Sequence, residues 1–313
     1  MKYLYYPGCS LEGTAKEYNI STASLMKALG AELLEIDNWN CCGASAAQSI
    51  SYLLSYVLPA RNLALAEKMN DKINKNNKTL DILVPCSACY LNLKKVTEDI
   101  KTDPQLFSNI NKVLSEENLE LKNNLKVRHL LDVIVNDFDL NLFKSNTKNT
   151  FNNFSVAPYY GCQCLRPYTV FDNPEKPKSM EPIIHSTGAN VHNWEMGPKC
   201  CGASHMNTKP EIGQKLVGDI LKAAEGADMI LTVCPMCQMN LEAFQQQVGR
   251  SVNESFDMTI LYLPQFMGMA LGLPESDIRT DLNLSITKQF QEKYLKMHHR
   301  PTSGKNTLMT SSA

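Results

Sequence analysis

The sequence lacks any apolar run long enough to cross a membrane. A transmembrane helix needs about 20 consecutive apolar residues, whereas the longest apolar segments, at 230–233 and 266–273, are short or interrupted by glycine. The opening residues, MKYLYYPGC, also lack the long apolar stretch and small-residue cleavage site of a secretory signal. We therefore expect a cytoplasmic protein, either free or peripheral to a membrane through its partners, whose thiols stay reduced.

The chain also lacks a strong charge of either sign. Its 313 residues carry 31 Lys and Arg against 32 Asp and Glu, for a formal net charge of -1. No block of like charge is long enough to indicate a site for nucleic acid or anionic lipid. We expect no nucleic-acid partner, and a chain of this length is sufficient for two domains that each bury a core.

Cysteine is abundant and regularly spaced. Ten of the eleven cysteines form two copies of one pattern, in which a single Cys is followed by Cys-Cys-Gly and then by Cys-x-x-Cys. Each copy supplies five thiols, one more than a tetrahedral zinc site uses, so the pattern favours iron–sulfur chemistry. Cys164 lies outside the pattern and is either a buried thiol or an alternative ligand. The first copy comprises Cys9, Cys41, Cys42, Cys86 and Cys89, and the second comprises Cys162, Cys200, Cys201, Cys234 and Cys237.

The repeat extends beyond the cysteines. NWNCCGAS (38–45) matches GPKCCGAS (197–204), and DILVPCSACYLNL (81–93) matches MILTVCPMCQMNL (229–241). Self-similarity of this kind indicates a duplicated structural unit. We predict an N-terminal domain at 1–140, a linker at 139–154, a C-terminal domain at 151–285 and a disordered tail at 298–313.

Each half predicts alternating strands and helices. Helical spacing is seen at 14–29, at 45–74 with a break at Pro59, and at 211–224. The alternation predicts an α/β fold, in which a small, mostly parallel sheet flanked by helices occurs twice. The cysteines would then lie on loops at the carboxyl ends of strands, where the loops of a parallel sheet converge. Short apolar runs predict the strands at 3–6, 33–36, 82–84, 155–159, 191–194 and 229–233.

Zinc and unrelated structural cysteines are the alternatives to iron. Four thiolates from two loops make a closed structural site, so zinc in the N-terminal domain is the chemical rival of iron. Structural cysteines without a metal need no shared spacing, and the doubled pattern disfavours them.

At these motifs the chain resembles the cysteine-rich CCG-domain family, and within it the B subunit of heterodisulfide reductases, in particular its bacterial relatives, over residues 1–275. The resemblance implies that each half holds a non-cubane [4Fe-4S] cluster through the five cysteines of its copy. It also implies that the two clusters face one another and split, or form, a thiol-derived disulfide in one-electron steps. The expected activity is that of an iron–sulfur oxidoreductase acting on a sulfur group, as the catalytic subunit of a complex.

One position departs from the family. Members from methanogens commonly carry His directly after the first cysteine of the second motif, and this chain carries Gln163. Gln can donate a hydrogen bond but cannot supply a proton near neutral pH. We predict that Gln163 is a polar group on the substrate side of the site, and that the substrate or the route of protons differs from the methanogen one.

Electrons must come from partner proteins. The chain has no G-x-G-x-x-G motif for a flavin or nicotinamide and no C-x-x-C-x-x-C run for cubane clusters. The resemblance implies two partners, a flavin-containing A subunit and a ferredoxin-like C subunit, with a small-molecule or protein disulfide as substrate.

The alternative function is a quinone-linked, membrane-docking CCG subunit of a succinate dehydrogenase or fumarate reductase-type complex. An exposed amphipathic helix would favour this alternative, and residues 260–273 are the candidate for it.

Overall fold

A computed structural model gives the fold of the chain and describes residues 1–44, 46–73 and 79–298. The predicted tail, 298–313, lies outside the described residues apart from residue 298. None of the helices within those ranges combines the length and the apolarity that crossing a bilayer requires.

Each half of the chain forms a four-stranded sheet. The strand order is β2-β1-β3-β4 in the first half and β6-β5-β7-β8 in the second, and the pairings between neighbouring strands are parallel. The doubled sequence therefore folds as a doubled sheet. The strands are β1 (Lys2–Tyr5), β2 (Glu32–Glu35), β3 (Ile82–Val84), β4 (Val127–His129), β5 (Ser155–Tyr159), β6 (Asn190–Val191), β7 (Met229–Thr232) and β8 (Thr259–Tyr262).

Helices connect the strands, as parallel pairing requires. They are α1 (Cys9–Glu12), α2 (Lys16–Ala28), α3 (Ala46–Ile50), α4 (Leu54–Ile73), α5 (Ser87–Asp99), α6 (Pro104–Leu114), α7 (Leu130–Asp137), α8 (Leu140–Asn146), α9 (Glu181–Ser186), α10 (Pro210–Ala223), α11 (Pro235–Ala243), α12 (Gln245–Val252), α13 (Leu263–Leu271), α14 (Glu275–Ile278) and α15 (Lys288–His298). The predicted α/β fold, with two parallel sheets flanked by helices, is confirmed.

The strands place the cysteines. Strands β3, β7 and β8 are buried along their whole length, as is typical of parallel sheets covered on both faces. Cys86 follows the end of β3 and Cys234 follows the end of β7, each at the start of a helix. The cysteines of each half therefore gather at the carboxyl edge of its sheet.

One hydrophobic core runs through both halves, and a second, smaller one lies within the second half. Tyr18 on α2 and Tyr262 at the end of β8 are both fully buried, and their rings stack with centroids 4.0 Å apart. Helix α2 packs against α13, so the first half contacts the second through these two elements. This contact fixes how the two cysteine-bearing edges face each other.

The structure corrects the prediction for residues 45–74. The break between α3 and α4 falls at residues 51–53, and Pro59 lies inside α4 rather than at a break. Pro59 is in the second turn of that helix and is buried, so it removes a single backbone hydrogen bond without ending the helix.

The candidate amphipathic segment, 260–273, is not an exposed helix. It contains most of β8 and all of α13, and every residue of these two elements is buried. The apolar run is explained by its place in the shared core, because a helix that is apolar on all sides is buried on all sides.

The segment predicted to link the domains carries structure of its own. It contains α8, and Phe151 and Phe154 in it are fully buried. The Phe151 ring lies 4.6 Å from the ring of Phe266 on α13. This segment thus packs on the second half, and the domain boundaries themselves stay a prediction.

Candidate cysteine site

The first five cysteines, which we call the first quintet, come together at the carboxyl edge of the first sheet. The sulfurs of Cys9 and Cys41 lie 3.4 Å apart, and those of Cys42 and Cys89 lie 3.5 Å apart. None of the five is in a disulfide. Cysteines that are distant in the chain thus meet in space. The first quintet is Cys9, Cys41, Cys42, Cys86 and Cys89.

The second quintet repeats this arrangement. The sulfurs of Cys201 and Cys237 lie 3.5 Å apart, as those of Cys42 and Cys89 do in the first quintet. Cys162 interacts with Cys200 through a side-chain hydrogen bond, as Cys9 does with Cys41. The second quintet is Cys162, Cys200, Cys201, Cys234 and Cys237.

A glycine before the first cysteine of each quintet makes room for sulfur. Gly8 has φ +77°, and a Cβ added to it would lie 2.7 Å from the Cys89 sulfur. Gly161 has φ +69°, and a Cβ there would lie 3.1 Å from the Cys237 sulfur. Only glycine combines this backbone conformation with so close an approach.

The hydrogen bonds within the quintets lower the pKa of three cysteines, Cys42, Cys200 and Cys234, and so favour their thiolate form. Hydrogen bonds with Cys41 and then with Cys89 lower the pKa of Cys42 to about 3. A hydrogen bond from Cys162 lowers the pKa of Cys200 to about 6. The donors shift in the opposite direction, since the pKa of Cys41 and of Cys162 is raised. Thiolate is the form that binds metal.

Each quintet is buried on one side and open on the other. Cys9, Cys41 and Cys200 are exposed, and Cys162 is partly exposed, whereas the remaining six members are buried. A group bound by either quintet would therefore be held mainly by protein and reached from one side.

Two asparagines hold the Cys-Cys loops, and the sequence patterns did not identify them. The side-chain amide of Asn92 donates to the Cys42 sulfur at 3.4 Å and to the Cys42 carbonyl at 3.3 Å. The amide of Asn240 donates to the Cys201 carbonyl at 2.7 Å. Each asparagine lies three residues after the last cysteine of its quintet, so the repeat itself carried the signal.

Two tyrosines also hold the Cys-Cys loops, and the sequence patterns did not identify them either. The Tyr6 hydroxyl donates to the Asn40 carbonyl at 2.7 Å, and the Tyr159 hydroxyl donates to the Lys199 carbonyl at 2.7 Å. Each carbonyl belongs to the residue just before a Cys-Cys pair, and each tyrosine lies three residues before the first cysteine of its quintet. These contacts orient the pair toward the other sulfurs.

The two quintets meet between the sheets. Interaction with the Cys234 side chain raises the pKa of Cys86 well above its ordinary value, so a thiol of the first quintet lies close to one of the second. A cavity of about 130 Å³ lies beside this contact. Its walls include members of the second quintet, Ser87 from the start of α5, Met236 and Gln163. Gln163 is therefore where a polar contact to a bound molecule would be.

Cys164 is outside both quintets. It is 1% exposed, its thiol donates to the Tyr160 carbonyl at 3.1 Å, and burial raises its pKa to about 12. The structure thus agrees with a buried thiol rather than an alternative ligand.

The donor set suits an inorganic core with several metal atoms. Within the part of the chain that the structure describes, no three side chains of His, Cys, Asp or Glu converge as a single metal ion would require. Each quintet instead holds five sulfurs, and some of them form pairs in which the two sulfurs are 3.4–3.5 Å apart. A tetrahedral zinc site uses four ligands, whereas iron–sulfur clusters are held by thiolates around several irons.

Comparison with known proteins also finds a cysteine-rich domain in each half of the chain. A family model described as "Cysteine-rich domain" (CCG) matches residues 3–94 and 156–242, which include both quintets. The match occurs twice, as the repeat does.

Three curated proteins are similar over nearly the whole chain. The 8-methylmenaquinol:fumarate reductase membrane anchor subunit of Wolinella succinogenes is 32% identical over 287 residues, which is 90% of this chain and 96% of that protein. A protein of Archaeoglobus profundus, described as like the B subunit of heterodisulfide reductase, is 27% identical over 87% of this chain and 91% of its own length. The B subunit of the ferredoxin/F420H2-dependent CoB-CoM heterodisulfide reductase of Methanosarcina acetivorans is 24% identical over 93% and 96%.

The fold is similar to that of a solved structure. A hypothetical protein from Helicobacter pylori superposes with a TM-score of 0.70 at 15% sequence identity. The superposition covers 91% of this chain and 52% of that one, so this chain spans about half the length of its structural neighbour.

Proposed function

Because this chain belongs to the cysteine-rich CCG-domain family, we propose that it is an oxidoreductase subunit in which each quintet holds an iron–sulfur cluster. The two quintets would act together on one small substrate. The observation that carries the proposal is their meeting at Cys86 and Cys234 beside the cavity of about 130 Å³. A molecule in that cavity would contact the cysteines of the second quintet directly and would approach the first through Ser87 and Ala88, which lie between Cys86 and Cys89.

The protein supplies the ligands and their orientation. When bound, a non-cubane [4Fe-4S] cluster in each quintet supplies electrons one at a time. The asparagines and tyrosines behind the Cys-Cys pairs hold the sulfurs in place. The low pKa of Cys42 and Cys200 favours the thiolate form at neutral pH.

We propose a thiol-derived disulfide as the substrate. Its reduction takes one disulfide, two electrons and two protons and gives two thiols; the reverse reaction forms the disulfide. A cavity of about 150 Å³ accommodates one benzene, so the cavity here suits the end of a thin chain better than a fused two-ring quinone. Gln163 in its wall would donate a hydrogen bond to the substrate, while the protons come from elsewhere.

A second candidate is the membrane-docking subunit of a fumarate reductase or succinate dehydrogenase-type complex. The observation that favours it is the 32% identity to the Wolinella membrane anchor subunit, which exceeds the identity to the heterodisulfide reductase proteins. The docking helix expected for it at 260–273 is buried, so docking would have to use another surface or a partner.

For the disulfide reaction, the partners would be a flavin-containing A subunit and a ferredoxin-like C subunit. They would deliver or accept the electrons that this chain passes through its two clusters. The complex would be cytoplasmic, or peripheral to the membrane through these partners.

The test is turnover of the anaerobically purified chain with reduced viologen as electron donor. We expect viologen oxidation that depends on an added disulfide. Turnover with a menaquinone analogue but not with a disulfide would support the second candidate. If neither the disulfide nor the menaquinone analogue is turned over, the joint action of the quintets is contradicted.

Two cysteine variants provide the control. Cys234→Ser is expected to lower the iron content and abolish turnover, because Cys234 belongs to the second quintet. Cys164→Ser is expected to keep the iron, because this thiol lies outside both quintets.

A further inference from the structure

A chain of hydrogen bonds crosses between the halves next to the contact of the quintets. Ser87 directly follows Cys86, and its hydroxyl donates to the carbonyl of Val233 at 3.2 Å. Val233 directly precedes Cys234. The same hydroxyl lies 3.1 Å from Nε2 of His129, which belongs to the first half. Ser87 and His129 are 2% and 0% exposed.

The direction of these hydrogen bonds follows from the surroundings of His129. Its Nδ1 accepts a hydrogen bond from the backbone N–H of Leu131 at 3.2 Å, so Nδ1 carries no proton. Burial lowers the pKa of His129 to about 4, so the ring is neutral and its proton is on Nε2. Nε2 therefore donates to the Ser87 oxygen, and Ser87 donates to Val233. The one ring proton of His129 is therefore held in the hydrogen bond to Ser87.

The repeat does not account for this arrangement. Pro235 occupies the position equivalent to Ser87 in the second half, directly after the first cysteine of the Cys-x-x-Cys. Tyr262, at the end of β8, occupies the position equivalent to His129 at the end of β4. A polar connection present in one half only is explained by the contact between halves and not by the domain fold.

We propose that His129 and Ser87 form a polar bridge to Val233 that sets the separation of the two quintets. Both are positioning residues: His129 orients the Ser87 hydroxyl, and Ser87 holds the residue before Cys234 against the residue after Cys86. The proposal rests on the proposed function only for its effect on turnover, because the separation of the thiols is a property of the metal-free chain.

The test uses thiol cross-linking of the full chain without metal. Dibromobimane joins two thiols that are close together, and peptide mapping by mass spectrometry identifies each pair. Cross-links of Cys42 to Cys89 and of Cys201 to Cys237 report on the quintets themselves, since these sulfurs lie 3.5 Å apart. A cross-link of Cys86 to Cys234 reports on their separation.

Three variants isolate the bridge. Ser87→Ala removes the hydroxyl, and Ser87→Thr keeps one. His129→Asn retains a side-chain acceptor for the start of α7, because Asn is a good N-cap, but is too short to reach Ser87. The start of α7 thus keeps its cap while the bridge is lost.

We expect Ser87→Ala and His129→Asn to lower the yield of the cross-link between quintets several-fold and to leave the two cross-links within quintets unchanged. Ser87→Thr should restore the wild-type yield. Unchanged yields between quintets in both variants, or a parallel loss of all three cross-links, would overturn the proposal.

A second measurement concerns the iron-loaded chain. If substrate must reach both quintets, loss of the bridge should lower kcat by about tenfold or more with a smaller change in KM, since small misplacements of reacting groups are costly. An unchanged kcat despite a lost cross-link would show that the separation does not matter for turnover, and would count against the joint action of the quintets rather than against the bridge.

Discussion

At the scale of single residues, Gly8 determines whether the first quintet has room for its sulfurs. Gly8→Ala would place a Cβ 2.7 Å from the Cys89 sulfur, and we expect this variant to lose iron. Gly30 is a matched control, because it has the same φ of +77° but no atom within 4 Å of an added Cβ. Backbone strain should cost about 1–3 kcal/mol in each variant, with the larger cost at Gly8, because its ψ of 161° lies in a region that essentially only glycine adopts. Iron analysis and urea unfolding check the two variants, and equal iron in both would contradict the crowding argument.

Gln163 tests the substrate side of the cavity. Gln163→His introduces a group that titrates near neutral pH beside the second quintet. We expect a change in kcat or in the range of disulfides accepted, with the iron content unchanged, because Gln163 lines the cavity and is not a member of a quintet. Steady-state kinetics and iron analysis measure the two effects. Loss of iron would show that Gln163 has a structural role instead.

The residues of the site differ in how far the sequence predicts them. The ten cysteines stand out because their spacing occurs twice. Asn92 and Asn240 also occur at equivalent positions, and comparing the two halves residue by residue would have found them. Ser87 and His129 could not be found in this way, because their contact depends on how the halves pack and has no counterpart in the repeat.

At the scale of the elements, α13 is a core helix. Phe266 on α13 is fully buried against Phe151. We expect Phe266→Ala to destabilise the fold by about 3–5 kcal/mol, the usual cost of removing a buried aromatic ring. Chemical unfolding measures the loss. A variant of unchanged stability that binds lipid vesicles less well would instead show that α13 docks on membranes.

The strands were predicted more completely than the helix boundaries. The apolar runs identified β1, β2, β3, β5, β6 and β7, with shifts of a few residues at some ends. The fourth strand of each sheet was not assigned, because β4 and β8 pass directly into α7 and α13 without an intervening turn. The break expected at Pro59 was wrong because α4 continues through this buried proline despite the loss of one backbone hydrogen bond.

At the scale of the whole molecule, two acidic side chains are buried where the halves meet. Glu242 on α11 of the second half accepts a hydrogen bond from Asn283 at 3.1 Å, and the charge of Glu17 on α2 of the first half acts on it. Burial raises the pKa of Glu242 from 4.5 to about 7, and the neighbouring charge of Glu17 contributes to the same shift. Contacts of this kind join residues that are far apart in the sequence, so sequence patterns did not predict them.

The raised pKa makes stability depend on pH. Between pH 4.5 and about 7 the folded chain keeps the proton on Glu242 while the unfolded chain releases it, so stability falls as pH rises through this window. Glu242→Gln keeps the acceptor for Asn283 and removes the charge. We expect this variant to raise the free energy of unfolding above pH 7 by up to about 3 kcal/mol. Below pH 7, its stability should depend less steeply on pH than that of the wild type. Thermal unfolding from pH 5 to pH 8 measures both, and identical slopes in the two proteins would contradict the assignment.

The most direct test of the two-cluster proposal is a count of metal atoms in the full chain after anaerobic purification. If each quintet holds a four-iron cluster, elemental analysis should find about eight iron atoms per chain and no stoichiometric zinc. One or two zinc atoms per chain with no iron would mean that the quintets are structural sites, and the redox function would have to be abandoned.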